Sequence, residues 1–341
     1  MINIFIAPTD TESGLTTISL GLMQALDARG LKVGFVKPVA PGSAANERST
    51  QLARTVLHLD TPDPMRLNEV QQSISNGMLD RILEDCVGLH ASVASDCDVV
   101  IIEGLTPDRS EPYTAKLNAE IAKALNADVL LVATAENKST HEIQSDLKIQ
   151  VGLFGGAKAS LMGCIINKAG APDLRGALPT SEEAPAQLPP AGCAASECET
   201  IKIDNCPVIG VIPWQADLLS PRTLDIARAL NAEVINEGDL NGRRVSRITL
   251  CARTLTNMID HLRPGTLVVT PGDRDDIIVA SAMAAVNGTP LAGLLLTSGY
   301  TPSDAMQALC ERAWQTGLPV LSVPGDSFGT ARALSHMDTH V

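Results

Sequence analysis

The feature that most constrains the fold is the alternation of short, continuous apolar runs with helix-forming segments. The apolar runs cover residues 2–6, 98–103, 128–133, 161–167 and 208–212. A strand that is apolar along its whole length is buried on both faces, which is typical of a parallel sheet with helices on both sides. The sequence therefore predicts an α/β fold built on a doubly wound parallel sheet.

A second set of the same pattern follows along the chain. Strands are predicted at 247–251, 266–270, 292–297 and 320–323, and helices at 255–262, 277–287 and 303–316. A chain of 341 residues exceeds what one core usually supports. We expect a first domain at 1–215 and a second, smaller α/β domain at 216–341. Residues 169–206, rich in Pro, Ala, Ser and Glu with little periodicity, are predicted to form a mobile surface insertion of the first domain.

Charge and composition exclude several functional classes. The net charge of −13 disfavours binding to nucleic acid or to an anionic membrane surface. The first residues lack the features of a signal peptide, and no apolar run is long enough to span a bilayer, so a cytoplasmic location with reduced thiols is expected. Cys193, Cys198 and Cys206 lack a CxxC pair and have no neighbouring His, so no metal site is predicted.

The loop after the first strand carries a degenerate phosphate-binding pattern. It reads Pro-Thr-Asp-Thr-Glu-Ser-Gly-Leu-Thr from residue 8 to residue 16, where a P-loop would have G-x-x-x-x-G-K-[ST]. Gly14 and Thr16 match, whereas Leu15 replaces the lysine that neutralises the β- and γ-phosphates. We predict a loop that does not hydrolyse ATP but can hold an anion through backbone groups at a helix N-terminus. The candidate residues of this loop are Thr9, Asp10, Thr11, Glu12, Gly14, Thr16 and Thr17.

Three further polar residues follow strands of the same sheet. Lys37 follows the second strand, Glu103 ends the third and Asn167 ends the fifth. Alone, each has a plain structural explanation, as a solvated lysine, a turn residue and a cap. In this order they are predicted to meet at the carboxyl edge of a P-loop-type sheet, where ligands bind.

This ordered set resembles the dethiobiotin synthetase and cobyrinic-acid amidase group of P-loop proteins. That group has G-T-D-T-x-V-G-K-T, then K-P-V, then E-G-A-G-G, then an Asn after a strand and then G-x-I-P. Residues 1–215 follow the pattern but depart from it at Pro8, at Leu15 and after Gly104.

The second half is similar to the DRTGG domain. Asp273 and Arg274, and then Thr297, Ser298 and Gly299, stand in the signature positions, with Ser298 in place of the first Gly. A degenerate synthetase-like domain followed by a DRTGG domain resembles the N-terminal region of long-form bacterial phosphate acetyltransferases.

The resemblance implies a regulatory and oligomerisation region of an enzyme that converts acetyl-CoA and phosphate to acetyl phosphate and CoA. The family's catalytic domain lies further along the chain, so this stretch ending at Val341 is expected to be inactive alone, with no cofactor. The implied partners are a nucleotide-like or anionic small molecule and further copies of the chain. The alternative is an active ATP-dependent ligase of the dethiobiotin synthetase class, in which Lys37 would replace the missing loop lysine.

Overall fold

The computed structural model describes residues 1–341 apart from Glu12, 42–46, 108–112, 156–159, 173–190, 216, 217, 219, 336 and 338–341. The described residues form two compact units. The first contains residues 1–171 and 191–214, and the second contains Pro172 and the described residues from Gln215 onward. No helix among the described residues is long and apolar enough to cross a membrane.

The first unit alternates strands and helices along the chain. Its strands are β1 Ile2–Pro8, β2 Val33–Val36, β3 Val39–Ala40, β4 Met65–Arg66, β5 Val99–Glu103, β6 Asp128–Thr134, β7 Leu161–Ala169 and β8 Val208–Pro213. Its helices are α1 Leu15–Asp27, α2 Arg48–Val56, α3 Leu67–Ser75, α4 Leu79–Ala94, α5 Thr114–Ala124, α6 Thr140–Leu153 and α7 Ala195–Cys198.

Six of these strands form one parallel sheet in the order β2-β5-β1-β6-β7-β8. The predicted doubly wound parallel sheet is therefore confirmed. The chain goes from β1 to the edge strand β2, returns to β5 beside β1, and then crosses to β6, β7 and β8 on the other side, so the direction of winding changes at β1. Such a switch point opens a crevice at the carboxyl ends of the strands. The segment that follows β1 consequently lies where ligands bind in folds of this type.

Apolar side chains from both faces of the sheet build two cores. Phe5 and Ala7 of β1 pack on one face with residues of α4, α5 and α6, whereas Ile4 and Ile6 pack on the other face with residues of α1 and α2. The alternation follows from the strand period of two, and it explains why β1 tolerates no polar residue along its middle. Polar side chains are confined to the strand ends.

The predicted mobile surface insertion at 169–206 is wrong for its described parts. Residues 173–190 lie outside the described residues. Ala169 belongs to β7, and residues after 190 return to the first core, where these side chains are almost fully buried: Cys193, Cys198, Ile201, Ile203 and Cys206. The mixture of Pro, Ala and Ser concealed these widely spaced apolar anchors.

The second unit is a smaller α/β layer. Its strands are β9 Glu233–Asn236, β10 Arg247–Leu250, β11 Thr266–Pro271, β12 Gly293–Thr297 and β13 Val320–Ser322. Its helices are α8 Thr223–Ala229, α9 Asp275–Val286, α10 Asp304–Gln315 and α11 Ser327–Ser335. The sheet order is β10-β11-β12-β13-β9, with only β9 antiparallel. The second series of alternating strands and helices that the sequence predicts is therefore present.

The helix predicted at 255–262 is replaced by two short 3₁₀ turns. They span Leu255–Asn257 and Ile259–His261, with i to i−3 hydrogen bonds from the N–H groups of Met258, His261 and Leu262. Leu255, Met258 and Leu262 all contact the core of the second unit, so the apolar spacing marks real contacts. The predicted helix is short, however, and short segments often take the tighter 3₁₀ form instead of an α-helix.

The packing of residues 191–206 gives a first prediction. Replacing Ile201, which is 7% exposed, with Ala should destabilise the first unit by about 2–4 kcal/mol, because it leaves a cavity in the core. The matched control is Ile209→Ala on β8, since Ile209 is 53% exposed and should cost less than about 1 kcal/mol. Urea denaturation of both variants measures the difference. Equal free energies of unfolding would contradict the core position of this segment.

Candidate functional site

The candidate site begins with the loop at the switch point. Thr9 donates its N–H to the Val132 carbonyl at 2.9 Å, so the chain stays paired with β6 just past the end of β1. Gly14 then stands at the N-cap of α1 with a φ of 75°, which favours glycine. A Cβ atom at this position would also lie inside van der Waals contact of Asn167 Nδ2. A glycine is therefore required at position 14, as in a P-loop, by the left-handed backbone and by the close approach of Asn167.

Asn167 holds the loop from the end of β7. Its Nδ2 donates to the Ser13 carbonyl at 3.0 Å, and its Oδ1 accepts from the Lys168 N–H at 2.9 Å. The structure thus brings Asn167 to the loop, as the sequence predicts. Both recorded hydrogen bonds of the amide are made to backbone groups, so Asn167 is a positioning residue for the loop.

Leu15 turns into the core. Its side chain is only 6% exposed and belongs to the apolar cluster that contains Ile18, Met23 and Ala53. Residue 15 is the phosphate-binding lysine in a P-loop. In this chain it is an apolar side chain that packs in the core.

Lys37 lies buried between two carboxylates. Its Nζ is 2.8 Å from Glu47 Oε1 and 2.8 Å from Glu103 Oε1, and a third, longer hydrogen bond of 3.4 Å reaches Ser49 Oγ. Burial lowers the pKa of Lys37, but the charges of Glu103 and Glu47 outweigh burial and raise that pKa above its ordinary value. Lys37 consequently stays charged at neutral pH.

Ser49 connects this cluster to the loop helix. Its hydroxyl donates to Glu103 Oε1 at 2.6 Å, so its single hydrogen is committed, and at the 2.8 Å contact with Thr16 the Thr16 hydroxyl must donate. Thr16, Ser49 and Glu103 therefore form a chain of hydrogen bonds that ends at Lys37. Ser49 was not predicted from the sequence.

Glu47 was also missed. It stands at the N-cap of α2 and accepts from the backbone N–H groups of Ser49 at 3.1 Å and of Thr50 at 2.7 Å. Burial raises the pKa of Glu47, but the Lys37 ammonium and the hydrogen bonds of this cap outweigh burial and lower it. An acidic residue ahead of a Ser-Thr pair was the one local signal of a helix start here.

The remaining loop candidates are placed as follows. Asp10 forms an ion pair with Lys138, which also contacts Asp146 at 2.6 Å. Burial lowers the pKa of Lys138, and the hydrogen bonds to the two aspartates outweigh it and raise that pKa. Thr11 and Thr17 are exposed, and Glu12 lies outside the described residues.

Several buried polar atoms near the loop lack a hydrogen-bond partner among the described residues. They are Thr9 Oγ1, Ser13 Oγ and Glu103 Oε2. Ser13 is 1% exposed and Glu103 is fully buried. Because an unsatisfied buried hydroxyl is costly, such atoms are sites at which a ligand or water adds a hydrogen bond.

The described residues do not fit magnesium-bound ATP. The loop has no lysine for the phosphates, since Leu15 is buried in an apolar cluster. The hydroxyl and carboxylate that would hold the metal, Thr16 and Glu103, belong to a network that already ends on the Lys37 ammonium. Lys37 in turn has all three N–H donors directed at protein oxygens. The alternative of an active ligase, in which Lys37 replaces the loop lysine, therefore lacks a free cation among the described residues.

In the second unit, the two parts of the DRTGG signature meet at one edge. Gly272 donates its N–H to the Thr297 carbonyl at 3.0 Å, which links the loops after β11 and β12. Thr297 is buried and its hydroxyl is 2.7 Å from Ser327 Oγ. Arg274 is held by Asp276, with two 2.8 Å contacts, and Asp273 is exposed.

Ser298 and Gly299 form a tight turn. Ser298 donates its N–H to the Gly325 carbonyl at 2.7 Å, and Gly299 donates to the Val323 carbonyl at 3.0 Å. Their φ angles are 70° and 69°, in the left-handed region. The serine at the position of the signature's first glycine therefore keeps the glycine-like backbone at a steric cost.

Comparison with known families assigns both halves. Residues 3–222 match the family model described as AAA domain, which is more than half of the chain. The chain belongs to this family. Residues 225–337 match the model described as DRTGG domain. Together the two domains confirm the predicted resemblance to the N-terminal region of long-form phosphate acetyltransferases.

Phosphate acetyltransferases from several bacteria match this chain over nearly its whole length. It is 45% identical to a phosphate acetyltransferase from Pseudomonas aeruginosa over 350 residues, covering 100% of this chain and 48% of that protein. It is 35% identical to the phosphate acetyltransferase of Escherichia coli, covering 99% of this chain and 48% of the relative. The chain thus spans about half the length of the relatives that it matches.

Among solved structures, the MinC:MinD cell division protein complex of Aquifex aeolicus is similar at 12% identity and a TM-score of 0.39. That likeness covers 64% of this chain and 84% of the other. At this level it carries no conclusion about function.

The geometry at Gly14 gives a second prediction. Gly14→Ala should destabilise the first unit by about 1–3 kcal/mol, because it combines a left-handed φ with a collision at Asn167. Gly21→Ala in the same helix is the control: nothing lies within 4 Å of its added Cβ, and it should stabilise by about 0.5–1 kcal/mol. Thermal and urea unfolding of both variants measure the effect. A Gly14→Ala variant as stable as the parent would contradict this contact.

The turn at Ser298 gives a third prediction. Ser298→Gly should stabilise the second unit by about 0.5–1 kcal/mol, since it removes the Cβ penalty of a left-handed residue. Ser298→Ala keeps that penalty and loses only an exposed hydroxyl, so it should not stabilise. The two variants are compared by urea denaturation. Equal stabilisation by Ala and by Gly would rule out backbone strain as the cause.

Proposed function

We propose that this chain is the regulatory and assembly region of a phosphate acetyltransferase, and that it holds a small anionic or nucleotide-like effector without hydrolysing ATP. In this proposal, residues 1–215 are the effector-binding domain and residues 216–341 are the DRTGG domain. Conversion of acetyl-CoA and phosphate to acetyl phosphate and CoA belongs to the part of the full-length enzyme that this chain does not span. The chain alone is then inactive in that reaction.

The observation that carries the proposal is that neither residue 15 nor Lys37 offers a free cation to the loop. Leu15 is buried in an apolar cluster, and Lys37 is neutralised by Glu47 and Glu103. Phosphoryl transfer depends on cations that offset the charge developing on the transferred group. A loop that keeps its shape and lacks these cations is suited to binding rather than to hydrolysis.

Effector binding is supported by the polar groups that the loop leaves available. Ser13 Oγ and Thr9 Oγ1 are buried without partners among the described residues, beside the N-terminus of a helix of 13 residues. Helix N-termini favour anions through their free N–H groups and their dipole. These groups match a phosphate or carboxylate of a small metabolite.

Assembly is supported by the outer surface of the second unit. Helices α9 and α10 pack side by side, and they expose Met283, Val286 and Leu309, which are 54%, 45% and 68% exposed. Apolar side chains grouped on neighbouring helices are typical of an interface. We propose that they contact a second copy of the chain in a homo-oligomer in the cytoplasm.

The fourth prediction tests the effector. Thermal unfolding is measured with ATP, NADH, pyruvate, acetyl-CoA and phosphate, each at about 100 times a plausible dissociation constant, where binding to the folded state adds about 2.7 kcal/mol. One ligand should raise the melting temperature, with no release of phosphate from ATP. Thr17→Glu should abolish the shift, because it adds a negative charge in the first turn of α1. Gln24→Glu, near the other end of this helix, should keep the shift.

Four results would contradict the proposal. Phosphate release from ATP by the purified chain would contradict the non-hydrolysing loop. The absence of a shift with all five ligands would contradict the effector, and equal shifts in both charge variants would contradict its position. Sedimentation of the same preparation as a monomer would contradict the assembly role.

A further inference from the structure

The oxygen atoms around Lys37 resemble the ligands of a cation site, and the cation that they hold is the Lys37 ammonium itself. Three oxygens converge on Lys37 Nζ, from Glu47 at 2.8 Å, Glu103 at 2.8 Å and Ser49 at 3.4 Å. An ammonium group has three N–H donors, and each has an acceptor here. Two carboxylate oxygens and a hydroxyl are also the donors that small divalent cations prefer.

The positions of these groups in the fold strengthen the comparison. In P-loop enzymes the metal is held by a hydroxyl at the start of the loop helix and by an acidic residue from a neighbouring strand. Thr16 lies in the first turn of α1 and Glu103 ends β5. Glu103 contacts the ammonium directly, and Thr16 is joined to it through Ser49. From this geometry we infer that Lys37 takes the place of a divalent metal, so that the site works without one.

Burial makes the ammonium necessary to the cluster. Glu103 is fully buried and the side chain of Glu47 is only 7% exposed. Two carboxylates so close together in a low dielectric repel each other strongly unless a cation lies between them. If Lys37 is removed, the carboxylates must take up a proton or another cation.

One further atom points to the kind of cation. Glu103 Oε2 is fully buried and has no hydrogen-bond partner among the described residues. Without Lys37, the lone pairs that faced the ammonium on Glu103 Oε1, Glu47 Oε1 and Ser49 Oγ become available beside Glu103 Oε2, although Glu103 Oε1 still accepts from Ser49. Such a set of hard oxygen donors suits Mg²⁺ or Mn²⁺. Removal of the ammonium should therefore create a divalent-cation site.

For the wild-type chain, the inference means that an anion at the loop binds without a metal. This part rests on the proposed function, because it concerns the same ligand. The creation of a metal site does not, because it needs no effector. The two ideas can therefore fail separately.

The fifth prediction tests the built-in cation with Mn²⁺ as the probe. Binding is followed by electron paramagnetic resonance on the whole chain, as wild type and as Lys37→Met, which has a similar length and no charge. The variant should bind one Mn²⁺ at least about tenfold more tightly than any site of the wild type. Lys168→Met is the matched control, since Lys168 is a half-buried lysine paired with one carboxylate, Glu136. It should gain no such site.

A second variant identifies the ligands of the new site. Lys37→Met combined with Glu103→Gln should lose the tight Mn²⁺ site, because one of the two carboxylates is gone. Tight binding that persists in this double variant, or equally tight binding by the wild type, would overturn the inference.

The test remains decisive if Lys37→Met is unstable. In that case its circular dichroism and melting temperature are measured with and without Mn²⁺ or Mg²⁺. The metal should restore the fold or raise the melting temperature of Lys37→Met, and it should do so less for wild type and for Lys168→Met. A Lys37→Met chain that stays unfolded at saturating metal, or that is folded and binds no metal, would show that the ammonium does not stand in for one.

Discussion

Burial of both faces of the first sheet is the constraint on which the candidate site depends. Helices cover each face, so the middle of every inner strand is apolar and polar side chains remain only near strand ends. Because the six strands are parallel, their carboxyl ends share one edge. Lys37, Glu103 and Asn167 are far apart in the sequence, yet this edge gathers them beside the loop that follows β1. The order of the strands thus accounts for the position of the site.

Much of this arrangement could be predicted from sequence, for a physical reason. A strand buried on both faces must be a continuous apolar run, and such runs are easy to recognise at 2–6 and 128–133. Glycine at position 14 was recognisable because few other residues adopt its backbone angle. The helix at 255–262 was wrong because apolar spacing marks which residues are buried but does not distinguish an α-helix from two 3₁₀ turns in so short a segment. The core segment after residue 190 was missed because its anchors are too widely spaced to show a period.

Two partners of Lys37, Glu47 and Ser49, could not be predicted, since their contacts depend on tertiary structure. Glu47 lies in a polar stretch with no periodicity, and its role follows from the place where α2 begins. Ser49 lies in the first turn of the same helix, and its role depends on Glu103, which comes from the end of β5. A lysine after a strand can equally be solvated. Whether its ammonium is free to bind a ligand depends on how many protein acceptors surround the three N–H groups.

The burial of Leu15 has a consequence for substitutions in such loops. A lysine that followed the path of the leucine side chain would bring its ammonium among Ile18, Met23 and Ala53, and burying a charge without a partner is costly. The lysine would therefore have to turn out of this cluster, which would leave the space of a buried leucine unfilled. A change at residue 15 thus costs stability before it can add a cation to the loop.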